Sequence, residues 1–578
     1  MKSSQDAATP ESASAGSSSL EDVGTITVYP ARTIVTMNDG QPTADVVAVA
    51  DGRILSVGTM ESIQPWLDVF PHEIDDTFAD MVLMPGFIDP HLHLIIGGTY
   101  MSAPYIGHYP MPKPGGGYTQ PVKDKAEAIV RMRAASDVLS DPDEELFVYG
   151  WDEPFQGELT RADLDQISAT RPVAVMGYSW HMLYANSAML AKRGVTRDTE
   201  IYGVRKDADG EPTGVFQETL AGSIIVGPMA PGWFAPEKAA AAIRYSAGVA
   251  QGTGVTTTSD MAFGLVDLDT EDTITRDLIQ DPTFPVRIQA VYDGATAIRN
   301  HGDDPAGFTA ALRERNDDRL FYDHVKFFVD GGFLDMAGQT GWPGPIGGQE
   351  MLWNTPNGVP PQDMWKSMLP FWKAGIDIHV HVVSDLGLDA VIDTLARLQL
   401  EHPRFDHRFT LEHMGIAHPH QLRRLASLGG LISNNIYYVY YRAERYARVG
   451  YGPDRSYHMS PLGDVARAGI PFAVHSDMTI GPCIPLEAVW IAVNRVGQNG
   501  TVIMPEQRVS LDLALKAVTI NAAYILRLDH FTGSIEVGKW ADFAVLKESP
   551  FEVEPMAIKD IPVWGTVVGG VKFPASGA

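Results

Sequence analysis

Between about residues 85 and 530, short apolar runs ending in Gly, Asp, Asn or His alternate with stretches whose apolar residues recur at helical spacing. The runs are "LMPGFID" (83–89), "RPVAVMG" (171–177), "GVTTTSD" (254–260), "HVKFFVDGG" (324–332), "IDIHVHVV" (376–383), "RFTLEHMG" (408–415), "GGLISNN" (429–435) and "IPFAVHSDM" (470–478). Buried strands alternating with helices, such as "KAEAIVRMRAASDVLS" (125–140), argue for parallel βα units. Eight of them predict an α/β chain built on a (β/α)8 TIM-type barrel, with its chemistry at the C-terminal ends of the strands.

The two ends of the chain have a different texture. Residues 25–84 read as short strands, with an Asp-Gly hairpin signal in "ADGRI", and similar bursts return only at 533–573. The expected organisation is a disordered leader (1–24), a small β-sandwich domain composed of 25–84 plus 532–575, and a barrel over 85–531. The leader, polar and rich in Ser and Ala, lacks the apolar core of a signal peptide. No stretch is apolar enough for a membrane span. A cytoplasmic protein is expected.

Composition narrows the function. The chain of 578 residues carries 44 Lys and Arg against 72 Asp and Glu, a formal charge of −28, which repels nucleic-acid phosphates. Cys483 is the single cysteine, so no intrachain disulfide and no zinc–thiolate cluster can form. Any metal must be held by His, carboxylate or something rarer.

Residues of that kind sit at the ends of the apolar runs. His91 and His93 in "DPHLHL" are i and i+2, and in an extended chain both imidazoles face one side. His379 and His381 repeat the pattern, His413 closes "FTLEH", and Asp477 follows "AVHS". Any one of these could be a packed core residue; several strand ends meeting at one barrel mouth point to a site. Lys326 lies inside "HVKFFVDGG", where a lone ammonium would be costly. Either it pairs with Asp330 at i+4, or its amine is modified or set beside a metal. Asp477 is read as a metal ligand, a general base, or both; the bland alternative is a turn cap.

At these residues the chain resembles the amidohydrolase superfamily: "VLMPGFIDPHLHL", "LEHMG", "AVHSDM" and the closing "GSIEVGKWADFAVL" carry the likeness. "LTRADLDQISATRPVAVMGYSWHMLYANSAML", "VKFFVDGG" and "HVVSDLGLDAVID" are similar to its YtcJ-like branch, which includes N-substituted formamide deformylases. The resemblance implies one or two divalent ions, expected to be Zn2+. His91 and His93 would hold the more buried ion, His381 and His413 the second, and a carboxylated Lys326 would bridge them. Asp477 would bind metal and act as base. His181, in "SWHMLYANS", would polarise the scissile carbonyl. The chain departs from the branch at His475, where Gly is usual, at Val382-Val383-Ser384 in place of Ala-Ile-Gly, and in having His379 on the face of His381. His475 and His379 are therefore candidates for contacting substrate or orienting ligands.

The implied reaction is hydrolysis of an amide-like C–N bond (N-acyl, N-formyl or carbamate) by metal-activated hydroxide, with a small molecule as substrate. Aromatic residues after the strands, Trp151, Trp180, Trp342 and the run 436–442 including Tyr437, suggest an apolar or aromatic substrate, or else ordinary packing or a dimer surface. Ester hydrolysis, or a lyase or isomerase step on the same metal, is the second reading. A non-catalytic binding protein is the third. A homodimer without nucleic-acid or membrane partners is expected.

Overall fold

A computed structural model describes residues 24–354 and 362–575. Residues 1–23 of the expected leader lie outside the described residues.

Eight parallel strands form the barrel: Phe87–Leu92, Val255–Phe263, Arg287–Asp293, Leu320–Phe328, Asp377–Val382, Thr410–His413, Leu431–Asn434 and Phe472–Val474. Neighbours pair in parallel register around the sheet, with Lys326 opposite His379, Phe328 opposite His381, His381 opposite Glu412 and Val382 opposite His413. The last strand returns to the first just above the sheet, where the Asp477 N–H donates to His91 O at 2.9 Å. This register places the metal-competent side chains of strands one, four, five, six and eight at one end.

The strand set differs from the sequence reading at one place. The run 171–177 is not a barrel strand. Val173–Gly177 belongs to a separate five-stranded sheet, with Leu146–Trp151, Met182–Ala185, Val204–Lys206 and Pro212–Gln217, inserted between the first and second barrel strands. The true third strand, "RIQAVYD", is masked in the sequence by Arg287 and Gln289. Arg287 is fully paired there, and Gln289 has its amide nitrogen engaged. Arg287 forms a fork with Asp542 at 2.7 and 3.0 Å and lies 4.0 Å over the Trp540 ring, and Gln289 donates to Phe321 O at 3.2 Å. Paired polar groups can occupy a buried strand where unpaired ones cannot.

The two ends of the chain build one further sheet. Its path runs through Val571–Pro574, Val563–Val568, Phe543–Leu546, Val82–Pro85, Ile26–Val35, Thr43–Ala50 and Arg53–Gly58, with His72–Ile74 on the Ile26–Val35 strand. The Thr43–Ala50 and Arg53–Gly58 strands form a hairpin around Asp51-Gly52, both at positive φ (51° and 75°), the conformation that Asp-Gly adopts at least cost. Arg287 on the barrel and Asp542 beside the terminal sheet tie the two bodies together.

Candidate active site

The "HLH" at the end of the first strand delivers two imidazoles to one region. His91 Nε2 and His93 Nε2 lie 3.5 and 3.3 Å from Asp477 Oδ1, and His413 Nδ1 lies 3.6 Å from Asp477 Oδ2. Asp477 has φ of +53° and His413 of +74°, conformations that cost energy in residues with a Cβ and that recur at functional sites. Here they turn both side chains inward over the barrel axis. Asp89, buried in the first strand, receives the N–H groups of Ser476 (3.2 Å) and His91 (3.3 Å), and so fixes the two turns against each other.

Two sets of donors stand close enough to share an ion: His91, His93 and Asp477, and His91, His413 and His475. Burial drives His91, His413, His475 and His381 below the ordinary imidazole range, which leaves them neutral, the form that coordinates a metal. Two nitrogens of the cluster, His93 Nδ1 and His381 Nε2, are buried with no hydrogen-bond partner among the described residues. The His381 ring stands 4.6 Å from that of His413. Neutral imidazoles, an adjacent carboxylate and an orphaned lone pair make a donor set that fits a divalent metal cation.

Lys326 is fully buried, its Nζ 3.5 Å from His91 Nε2. It does not pair with Asp330, which instead accepts N–H groups from Val383 (3.0 Å), Ser384 (3.1 Å) and Gln339 (3.3 Å) and so anchors the loops after strands four and five. Burial lowers the Lys326 amine to about 8 against the opposing charges of Glu412 and Asp477. A lysine so placed spends part of its time as the free amine that carboxylation requires.

Sequence reasoning passed over Glu412, which is the hub of the cluster. His91 Nδ1 lies 2.7 Å and His379 Nδ1 2.5 Å from its two oxygens, and His475 Nδ1 3.5 Å. It orients His91 so that Nε2 faces the site, the usual task of a carboxylate behind a metal-binding histidine. Its signal was present in "TLEHMG", a glutamate inside an apolar strand.

His181 stands apart, 5.1 Å ring to ring from His381, with Nδ1 2.7 Å from Glu218 Oε2. Burial would lower its pKa, but the Glu218 carboxylate outweighs this and raises it to about 9. The protonated ring is a hydrogen-bond donor at the edge of the cluster. The "DGG" after strand four makes room for this pair. A Cβ on Gly331 would meet Glu218 Oε1 at 2.7 Å, and one on Gly332 would meet His181 Cγ at 2.9 Å.

The residues expected to contact substrate are placed unevenly. Trp180 lies against the cluster, its ring 4.8 Å from His93 and its Nε1 3.3 Å from Tyr149 Oη and Thr479 Oγ1. Trp151 is instead a core residue of the inserted sheet, its N–H given to Gly157 O at 3.1 Å. Tyr437 is buried and ties its helix to the segment after the last barrel strand, donating to Ile484 O (2.8 Å) and accepting from Ile484 N (3.1 Å). His379 lies below the mouth with both nitrogens engaged, the second 2.9 Å from His324 Nδ1. His475 is likewise enclosed, 3.0 Å from His413 Nδ1 and 2.7 Å from Ser433 Oγ. Trp151, Tyr437, His379 and His475 thus have no polar atom free for a substrate, because each is committed to protein neighbours.

Comparison with known proteins agrees with this geometry. Residues 79–572 match the Amidohydrolase family. The chain is 27% identical to Protein LONG AFTER FAR-RED 3 of Arabidopsis thaliana over 93% of its length and 90% of that protein. It is 24% identical to the putative amidohydrolase YtcJ of Bacillus subtilis (93% and 97% covered), and 23% identical to the N-substituted formamide deformylase of Arthrobacter pascens (91% and 94%). Among solved structures, an uncharacterized metal-dependent hydrolase from Pyrococcus horikoshii superimposes with a TM-score of 0.67 at 18% identity, covering 92% of this chain and 99% of that one. A barrel whose strand ends gather four imidazoles, a buried lysine and an aspartate, in a chain matched from residue 79 to 572, belongs to the amidohydrolase family, in its YtcJ-like branch.

Proposed function

We propose that the chain hydrolyses an amide-like C–N bond, of the N-formyl, N-acyl or carbamate kind, in a small molecule. The observation that carries this is the meeting of His91 Nε2 and His93 Nε2 on Asp477 Oδ1, with the His181–Glu218 pair on the far side of His381. His91, His93, His381, His413 and Asp477 would hold the metal, with His475 within reach of the same ion as His91 and His413 and Lys326 as a carboxylated bridge. A bound divalent ion would lower the pKa of its water to about 7 and polarise a carbonyl oxygen.

The chain's own residues supply the rest. Asp477 is the most exposed of the set, with one oxygen toward His91 and His93 and the other toward His413. It is placed to take a proton from an attacking water and return it to the leaving nitrogen, which must be protonated before it departs as an amine. His181, kept cationic by Glu218, offers its remaining N–H to the carbonyl oxygen as charge develops there. Trp180 covers one side of His93 and excludes water from it.

The test is a panel of N-formyl and N-acyl alkyl and aryl amines beside matched esters, assayed on zinc-loaded protein with products identified by mass. Amine release with addition of one water is expected. Turnover of the esters alone, or a product of unchanged mass, would replace this reading with an esterase or an isomerase.

A further inference from the structure

His324 on strand four enters none of the roles assigned so far, yet it is buried and uses both ring nitrogens. It precedes Lys326 by two residues, so it faces the barrel interior one layer nearer the floor. With His379 and Glu412 it forms an unbroken line from the metal donors to the underside of the barrel. His91 Nδ1 lies 2.7 Å from Glu412 Oε2, and Glu412 Oε1 lies 2.5 Å from His379 Nδ1. His379 Nε2 lies 2.9 Å from His324 Nδ1, and His324 Nε2 lies 3.2 Å from Leu526 O.

The lower end of this line has a fixed sense. Leu526 is the C-terminal cap of the helix Ile520–Ile525, where carbonyls lack a partner within the helix, and a carbonyl can only accept. The hydrogen therefore sits on His324 Nε2. His324 and His379 are 1% and 0% exposed, and a ring closed off from water does not readily carry a charge. His324 thus has one N–H, its Nδ1 is an acceptor, and His379 must donate to it from Nε2.

That order propagates upward. His379 Nδ1 and Glu412 Oε1 meet with one proton between them, and Glu412 Oε2 receives the His91 Nδ1–H. With its hydrogen held there, His91 keeps Nε2 bare, the nitrogen that lies 3.5 Å from Asp477 Oδ1. Reversing every link would set the lone pair of His324 Nε2 against the Leu526 carbonyl. It would also move the His91 hydrogen to Nε2, where it would block coordination.

We propose that His324 is a positioning residue for the metal: bonded to the Leu526 carbonyl, it fixes the direction of the hydrogen bonds through His379 and Glu412 and so holds His91 in the tautomer that coordinates. The proposal rests on the metal site of the reading above and not on the bond that is cleaved.

The test measures zinc affinity of the full chain by competition with a chromogenic chelator, with urea unfolding of each metal-free protein alongside. Wild type is compared with His324→Leu, His324→Asn, His379→Phe and the double variant His324→Leu/His379→Phe. His324→Leu should bind zinc about 10-fold more weakly, the lower end of what outer partners of a metal ligand contribute. His324→Asn keeps a carbonyl acceptor for His379 and should stay within about 3-fold of wild type. The double variant should bind no more weakly than His379→Phe, because the line is already cut. Unchanged affinity in His324→Leu, equal losses in His324→Leu and His324→Asn, or additive losses in the double variant would each overturn the proposal.

Neutron diffraction from crystals of the metal-free wild-type chain in heavy water needs no variant to fold. Deuterium is expected on His324 Nε2, His379 Nε2 and His91 Nδ1; deuterium on His324 Nδ1 overturns the proposal. No turnover enters either measurement, so failure of the amide panel would leave the relay standing. A wild-type chain that binds no zinc would overturn the relay and the metal-dependent reading together.

Discussion

The histidines inside the barrel fall into two ranks that differ in how completely their nitrogens are used. In the throat, His379 contacts Glu412 and His324, and His324 in turn lies 3.2 Å from Leu526 O. His475 is held between Ser433 and His413. At the mouth, His93 and His381 each bury a nitrogen that no described residue meets. Both ranks are buried and both are made of imidazole, so burial and residue type do not separate them. Saturation does. A saturated imidazole positions its neighbours, whereas an unsaturated one is held ready for something the chain itself does not contain.

The sharpest way to test that division is at the residue that joins the mouth group. Asp477→Asn preserves shape and removes the proton acceptor, so kcat should fall by about 10²–10⁴-fold while circular dichroism stays near wild type. Wild-type turnover would show that Asp477 is not the base. Next in size is the His181–Glu218 pair. His181 is raised to about 9, above the ordinary value of 6.5, so it is cationic through neutrality and loses its proton as pH rises through 9. The alkaline limb of kcat/KM is expected there. The pair's contribution to stability is complete below pH 6.5 and vanishes across the same window. Glu218→Gln leaves burial as the main influence, so the limb should move below neutrality, with a loss of about 10²–10³-fold in kcat at pH 8. An unmoved limb would assign it to another group.

Glu412→Gln reaches the throat. The amide keeps one acceptor but cannot receive both His91 and His379, so His91 loses its fixed orientation. Zinc affinity, measured by competition with a chromogenic chelator, should fall by about 10–100-fold.

Much of this was legible in the sequence. The His-x-His spacings, the lysine among phenylalanines and the aspartate after "AVHS" mark groups that the structure gathers at one end of the barrel, because chemistry at the strand ends leaves polar residues in apolar surroundings. What escaped was polarity that is satisfied at long range. Arg287 hid a barrel strand because its partner, Asp542, is 255 residues away. Glu412 and Glu218 were passed over because a carboxylate declares its role through neighbours brought by other strands and loops. The inserted sheet was read as barrel because "RPVAVMG" is as apolar as a barrel strand; only its antiparallel partner Met182–Ala185 distinguishes it. The aromatic residues after the strands are satisfied likewise, since Trp151 and Tyr437 spend their polar atoms on backbone groups.

The comparison can be broken with two substitutions on one strand, His379→Phe and His381→Phe, both read on metal-free protein by urea unfolding. Their positions are adjacent on one face, and the change in volume is the same. Removing His379 strands an acceptor of Glu412 and a nitrogen of His324, and each buried group left unpaired costs about 1–3 kcal/mol. Removing His381 strands no buried side chain by hydrogen bonding, because its Nε2 had no partner among the described residues and its other contacts are to the backbone at Asp330 and Gly331. It also takes a desolvated polar atom out of the interior. The first variant should therefore lose stability while the second changes by less than about 0.5 kcal/mol or gains. Saturating zinc should reverse the order of interest: wild type is stabilised by the ion, His381→Phe much less so, because anything that binds only the folded state raises its stability in proportion to affinity. Equal losses in the metal-free proteins would mean that packing, rather than saturation, separates the two ranks.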